Sequence, residues 1–239
     1  MILAVALLTM VQAPDTPRVE FAEESPLLEL NVSWPARADA ISPLRAALIR
    51  DKDRRKRQWS NAARAFRRQA HAESFPFSRH VFSVEWQVEG ITPQLVSLSA
   101  ITNAYTGGGH GRQGYDILLW DQLRNRTVAL APLLEFEALA PRFCAIYPNA
   151  LRNHLGEGTM PEDDERWNCP TVTGRPVAQA DTDGNGRFDT LRFFMAVNYF
   201  DAEGYSVDVP VVAADIARLP DGYRPAFEIP GERRPPTSE

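Results

Sequence analysis

Four glycines in five positions lie within the segment Tyr105-Thr106-Gly107-Gly108-Gly109-His110-Gly111 and interrupt a stretch that is otherwise rich in β-forming residues. Glycine adopts positive φ and lets another backbone approach closely, so this segment predicts a tight turn or bulge between two strands. Binding residues are usually carried by loops on a rigid sheet. The candidate ligand-binding residues are therefore Tyr105, Gly107, Gly108, Gly109 and His110.

Strands and helices are predicted on both sides of this turn. Apolar and polar residues alternate over 28–34 and 82–88, as in half-buried strands, and 95–104 completes a hairpin with the second of these. Further strands are predicted over 115–120, 190–200 and 205–212. A long basic helix is predicted over about 43–71 and a second helix over about 132–155, where Pro141 and Pro148 would break or kink it. The sequence thus predicts an α+β fold in which both helices pack on an antiparallel sheet.

The long helix combines an apolar stripe with many cationic residues. Trp59, Ala63, Phe66 and Ala70 recur at helical spacing, and arginines and lysines occupy most of the remaining surface. One interpretation is an electrostatic docking face for an acidic polymer or a membrane surface, and the other is a solvated face balanced by the protein's own acids. The net charge of −5 and the pI near 5.5 argue against a nucleic-acid partner for the chain as a whole.

The N-terminal residues 1–13 are apolar and uncharged, and they are too few to span a bilayer. We interpret them as a signal peptide or an N-terminal apolar segment, which predicts a periplasmic or secreted protein with no transmembrane span in the mature chain. Residues 14–230 are predicted to form a single α+β domain, and residues 231–239 a disordered tail. The only two cysteines, Cys144 and Cys169, are predicted to form a disulfide, as is common in exported proteins.

The segment 181–189, Asp-Thr-Asp-Gly-Asn-Gly-Arg-Phe-Asp, is the best candidate for a metal site. Read as a calcium loop, it supplies oxygen ligands from Asp181, Asp183, Asn185 and Asp189. Arg192 stands where a bidentate acid would be expected, and a strand follows the loop. The alternative is an acidic hairpin turn, in which Asp, Asn and Gly are favoured for their local hydrogen bonds and backbone freedom.

Other chemistry is less well supported. The four histidines lack the spacing of a zinc site. His110 could act as a general base beside Tyr105, but the sequence places no partner acid or nucleophile near it. An aromatic ligand platform is a further hypothesis, and its members would be Tyr105, Trp86, Trp120 and Tyr199.

The glycine turn and its flanking strands resemble a known family. The segment 105–111, the strand over 115–120, the hairpin and helix start over 127–134, and the closing strands over 193–210, with Tyr199 and Gly204, are similar to an extracytoplasmic domain. That domain occurs in RsiV-type anti-sigma factors and beside the catalytic domain of PdaC-type peptidoglycan deacetylases. The resemblance implies an exported α+β binding domain, and in RsiV relatives a domain that binds lysozyme. This chain shows neither a membrane anchor with a sigma-binding segment nor an attached deacetylase domain, so neither of those activities is carried over.

The resulting functional expectation is an exported cell-envelope binding domain without catalytic activity. Its expected partner is a lysozyme-like muramidase or peptidoglycan glycan. The alternatives are an envelope glycan hydrolase or deacetylase that uses His110, and a structural module stabilised by calcium.

Overall fold

The computed structural model describes residues 18–129, 134–156, 165–195 and 204–231. The predicted signal segment and the tail beyond Gly231 lie outside these residues, and so does Tyr199. The strands are β1 Arg18–Glu24, β2 Leu28–Pro35, β3 His80–Ile91, β4 Leu95–Tyr105, β5 Arg112–Asp121, β6 Arg126–Val128, β7 Val177–Ala180, β8 Thr190–Met195 and β9 Tyr205–Pro210. The α-helices are α1 Ala36–Asp39, α2 Ser42–Ala72, α3 Phe136–Leu155 and α4 Ala213–Arg218.

A six-stranded sheet contains the first half of the chain, with its strands in sequence order from β1 to β6. All neighbouring pairs are antiparallel except β2 and β3, which are parallel and are connected across the sheet by α1 and α2. A parallel pair needs such a crossover, because the chain must return to the same end of the sheet. The predicted hairpin of β3 and β4 is confirmed, and a register shift between Val88 and Gly90 marks a bulge in it.

Helix α2 covers one face of this sheet. It spans residues 42–72, close to the predicted 43–71, and Pro43 lies in its first turn, where a missing amide proton costs nothing. The core between helix and sheet is built from alternate strand residues, which point to the same face of a sheet. It includes Trp34, Leu44, Leu48, Val84, Trp86, Leu98 and Trp120.

A second, three-stranded antiparallel sheet contains β7, β8 and β9. Helix α3 packs on it through Leu139, Phe143, Tyr147 and Leu151, which recur every four residues and are buried. The helix contains Pro141 and Pro148 without an interruption. The predicted disulfide is confirmed: Cys144 of α3 is bonded to Cys169, and it ties the segment before β7 to the helix.

The two sheets are joined by an ion-pair cluster around Glu89. Arg192 of β8 donates to the Glu89 carboxylate at 2.7 Å, and it also binds Asp208 through two hydrogen bonds of 2.8 and 2.7 Å. The hydrogen bonds to Asp208 raise the pKa of the Arg192 guanidinium above its usual value despite its partial burial. Ser99 donates to the other carboxylate oxygen of Glu89. This cluster fixes β8 against β3.

The predicted α+β class is confirmed. The arrangement differs from the predicted one, in which a single antiparallel sheet carries both helices. The chain forms two sheets, each covered by one of the two long helices, and the β2–β3 pair is parallel. None of the described helices is both long enough and apolar enough to cross a membrane.

Candidate ligand-binding surfaces

The glycine turn between β4 and β5 is closed by its own tyrosine. The Tyr105 hydroxyl donates to the carbonyl of Gly108 at 3.1 Å. Gly107 and Gly108 have φ values of 94° and 101°. Residues that carry a side chain rarely adopt this backbone conformation, so these positions favour glycine. A Cβ at Gly107 would also lie 3.2 Å from the Cβ of Ser78. The turn is therefore a fixed structure, and Gly108, Gly109 and His110 are exposed at its tip.

The Asp181 loop lies at the opposite end of the first sheet from the glycine turn. Asp181 donates its backbone amide to Glu89, near the bulge of β3. Tyr105 pairs instead with Val81, near the start of the same strand. The intervening residues of β3 separate the two regions by about 25–30 Å at a rise of about 3.3 Å per residue. His110 and the predicted metal residues therefore do not share one site.

The oxygens of the Asp181 loop are already bound by the loop itself. The Asp181 carboxylate accepts hydrogen bonds from the backbone amides of Gly184, Asn185 and Gly186 at 2.8–3.1 Å. Asp189 accepts from the amide and hydroxyl of Thr182. Burial raises the pKa of Asp181 above its usual value.

The internal hydrogen bonds of this loop are those of an acidic hairpin turn, which is the alternative interpretation of the segment. Asn185 donates its side-chain amide to Asp183 at 2.9 Å, so two of the four candidate ligands bind each other. Within the described part of the chain, no group of three or more His, Cys, Asp or Glu side chains is placed to hold a metal ion.

The sheet face opposite α2 carries a row of amide and hydroxyl side chains, which we call the amide row. It consists of Asn31, Ser83, Asn103 and Gln113, which lie directly opposite one another on β2, β3, β4 and β5. Asn103 donates to Ser83 and Gln113 donates to Asn103, both at the long distance of 3.4 Å. Asn31 and Asn103 are exposed. The row therefore presents polar groups that are only weakly engaged with one another.

Two tyrosines flank the amide row. Residues two positions apart on a strand share a face, so Tyr105 lies beside Asn103, and Tyr115 lies beside Gln113 on the other side of the row. Both tyrosines are half-buried, and the ring of Tyr115 packs on Phe194 at 5.0 Å between centroids. Gln113 is held in place by the amide of Gly204, which donates to its Oε1 at 2.9 Å.

This surface was not predicted from the sequence as a site. Of the described members of the proposed aromatic platform, only Tyr105 lies on it, because Trp86 and Trp120 are buried in the core beneath α2. The signal in the sequence was the presence of amide residues at polar positions of strands in which apolar and polar residues alternate. It was missed because these residues come together only through the register of the strands, which the sequence does not show.

A buried histidine lies on the other face of the sheet. His80 is 2% exposed, and within the described residues neither ring nitrogen has a hydrogen-bond partner. The rings of Trp59, Phe66 and Phe77 surround it, with centroids 5.4–6.4 Å away. This burial lowers the pKa of His80, so the ring is held neutral.

The geometry defines a two-sheet α+β fold whose first sheet has a polar face opposite α2. Residues 21–113, about two fifths of the chain, match the family model described as deacetylase PdaC. This region is therefore similar to the PdaC-type domain, and the resemblance predicted at the glycine turn is confirmed for it. The matched segment includes all four residues of the amide row.

Two solved structures are similar to this chain. One is a DUF3298 family protein from Pseudomonas aeruginosa, with 13% identity, a TM-score of 0.46, and coverage of 81% of this chain and 90% of that one. The other is a DUF3298 family member from Bacteroides fragilis, with 13% identity, a TM-score of 0.43, and coverage of 81% and 89%. No curated protein matches the chain at a significant level.

Proposed function

We propose that this protein is an exported, non-catalytic binding domain of the cell envelope that binds cell-wall glycan on the amide row. The observation that carries the proposal is the alignment of Asn31, Ser83, Asn103 and Gln113 across four strands. Side-chain amides donate and accept hydrogen bonds, which suits the hydroxyl and acetamido groups of a neutral sugar chain. The row extends over about 14 Å, at about 4.8 Å per strand spacing, and so exceeds one sugar ring.

The flanking tyrosines support the same ligand. Tyr105 and Tyr115 lie on either side of the row, and aromatic rings with a polar edge suit a ligand that, like a sugar, has both apolar and polar surface. The disulfide between Cys144 and Cys169 supports an oxidising compartment, and hence a periplasmic or secreted location.

The test is sedimentation of the purified protein with insoluble peptidoglycan. Replacing Asn31 and Asn103 by alanine removes exposed amides without opening a core. Two hydrogen bonds at about 0.5–1.5 kcal/mol each predict an affinity loss of about 5- to 150-fold. The matched control replaces Asn61 and Gln69, exposed amides on α2, and should bind normally. If the wild type does not sediment, or if N31A/N103A binds as tightly as the control, the glycan proposal is wrong.

A lysozyme-like muramidase is the second candidate partner. It is implied by the RsiV-type resemblance, and the exposed tip of the glycine turn, with Gly108, Gly109 and His110, offers a protruding protein contact. A pull-down with lysozyme separates the two candidates. Capture of lysozyme that is unchanged by N31A/N103A but lost on changing the turn, without binding to peptidoglycan, would favour the muramidase.

The rival from another class is a deacetylase or glycan hydrolase that uses His110, because the matching family model carries the name of a deacetylase. Under our proposal, wild type and H110A both leave peptidoglycan unmodified. Turnover by the wild type that is lost in a folded H110A variant would establish the enzyme instead.

A further inference from the structure

The cationic residues of α2 fall into two groups with different surroundings. In its first half, all cations except the exposed Arg50 are paired with the protein's own acids within the described residues. The pairs are Arg45 with Asp39, Lys52 with Asp53, Arg54 and Arg55 with Asp51, Arg55 with Asp116, and Lys56 with Glu23. Such pairing produces the balanced, solvated face that was one of the two interpretations of this helix. It does not extend along the whole helix.

The second half of α2 carries arginines without counter-ions. Arg57, Arg64, Arg67 and Arg68 are exposed, and within the described residues no carboxylate forms an ion pair with any of them. The single hydrogen bond of Arg64 goes to the neutral amide oxygen of Asn61 at 3.1 Å. In a protein with a net charge of −5, this is a local concentration of uncompensated positive charge.

Part of this surface is concave. Arg64, Arg67, Arg68 and His71, together with Leu27 from the chain before β2, line an open groove of about 400 Å³. These four helix residues span about 10 Å along the helix, and the three arginines among them occupy about 6 Å of it. We call them, with Leu27, the arginine groove.

We propose that the arginine groove binds a linear, phosphate-bearing polymer of the cell envelope. Guanidinium groups bind phosphate oxygens through two parallel hydrogen bonds, and arginines on successive turns can engage successive phosphates of a chain. A linear polymer fits a groove, whereas a membrane surface fits a flat face with insertable apolar side chains. The only large exposed apolar residues in the described chain are Phe21 and Leu123, and neither lines the groove.

The arginine groove and the amide row are on opposite sides of the first sheet, because α2 covers one face and the row lies on the other. Binding at one does not block the other. The proposal therefore does not depend on glycan binding, and the two experiments can fail independently.

The test uses fluorescently labelled inorganic polyphosphate and measures anisotropy in 150 mM NaCl. The variant R64Q/R67Q/R68Q should bind at least about tenfold more weakly, because it removes three charge-assisted contacts. The matched control R45Q/R54Q/K56Q removes three charges from the paired half of the same helix. It should change the affinity by less than about threefold, since those cations are already engaged.

Three results would overturn the proposal. The first is the absence of saturable binding by the wild type in 150 mM NaCl. The second is an equal loss in both triple variants, which would mean attraction by overall charge. The third is binding to anionic phosphatidylglycerol vesicles without binding to polyphosphate, which would assign the surface to a membrane. Circular dichroism of each variant confirms that the helix is retained.

Discussion

Replacing His80 by phenylalanine should stabilise this protein and remove part of its sensitivity to acid. The ring is buried among Trp59, Phe66 and Phe77, and both of its nitrogens lack partners in the described structure. A buried polar group without a hydrogen bond costs about 1–3 kcal/mol, and phenylalanine has no such group. We expect the free energy of unfolding at pH 7.5 to rise by about 1–3 kcal/mol, less any cost of fitting the larger ring. For a chain of this size, each 1 kcal/mol corresponds to about 2–4 °C in Tm.

The pH dependence follows from the lowered pKa of His80. Burial disfavours the charged ring in the folded state, so below the ordinary histidine pKa of about 6.5 the unfolded state binds the proton more readily. The stability of the wild type therefore falls as the pH is lowered through this range, by at most about 1.4 kcal/mol per pH unit from this group. H80F lacks this contribution, so its advantage over the wild type should grow between pH 6.5 and pH 5.

The assay is urea unfolding followed by fluorescence at pH 7.5, 6.5, 5.5 and 5.0. A second variant, H80L, removes the imidazole without introducing a larger ring, so it separates the effect of the histidine from strain caused by phenylalanine. The control is H71F, which changes an exposed histidine in the last turn of α2 and should alter stability by less than about 0.5 kcal/mol. If wild type, H80F and H80L lose stability in parallel as the pH falls, His80 is not the group that takes up the proton and the reasoning is refuted.

Two further predictions concern the second half of the chain. Replacing Cys144 by serine should lower the free energy of unfolding by about 3 kcal/mol, because the disulfide closes a sequence separation of 25 residues; a reduced wild type that remains as stable as the oxidised protein would contradict this. Replacing Arg192 by methionine should cost about 3 kcal/mol in urea unfolding, because Glu89, with a side chain 5% exposed, loses its cation. Adding Glu89→Gln to that variant should recover part of the loss, and a cost for the single change below 1 kcal/mol would count against the role of the cluster.

Local features of the fold could be predicted from the sequence. The bounds of α2, the hairpin of β3 and β4 and the turn at residues 105–111 each depend on side chains that are near one another in the sequence. Helical periodicity, strand alternation and glycine content are therefore sufficient signals for them. The disulfide was also predictable, because only two cysteines exist and the chain has the features of an exported protein.

Features that depend on distant pairing could not be predicted. The parallel register of β2 and β3 joins segments separated by the whole of α2, and no local pattern reports it. The amide row depends on that register, because Asn31 comes opposite Ser83 only when the two strands align. The Asp181 loop is a case that composition alone leaves open, because Asp, Asn and Gly suit both a calcium loop and an acidic turn. In the structure the amides of Gly184 and Gly186 donate to the Asp181 carboxylate, as in an acidic turn.

The strand register also determines where the chain can be divided. The PdaC-type match ends at residue 113, inside β5, whereas the pairing of β4 with β5 continues from Ile101 opposite Tyr115 to Leu95 opposite Asp121. A fragment cut at the end of the match would leave this length of β4 as an unpaired edge with apolar side chains, the kind of edge that recruits other chains and aggregates. The region defined by similarity is thus shorter than the smallest piece that can be expected to fold, and a workable truncation must retain β5 as far as Asp121.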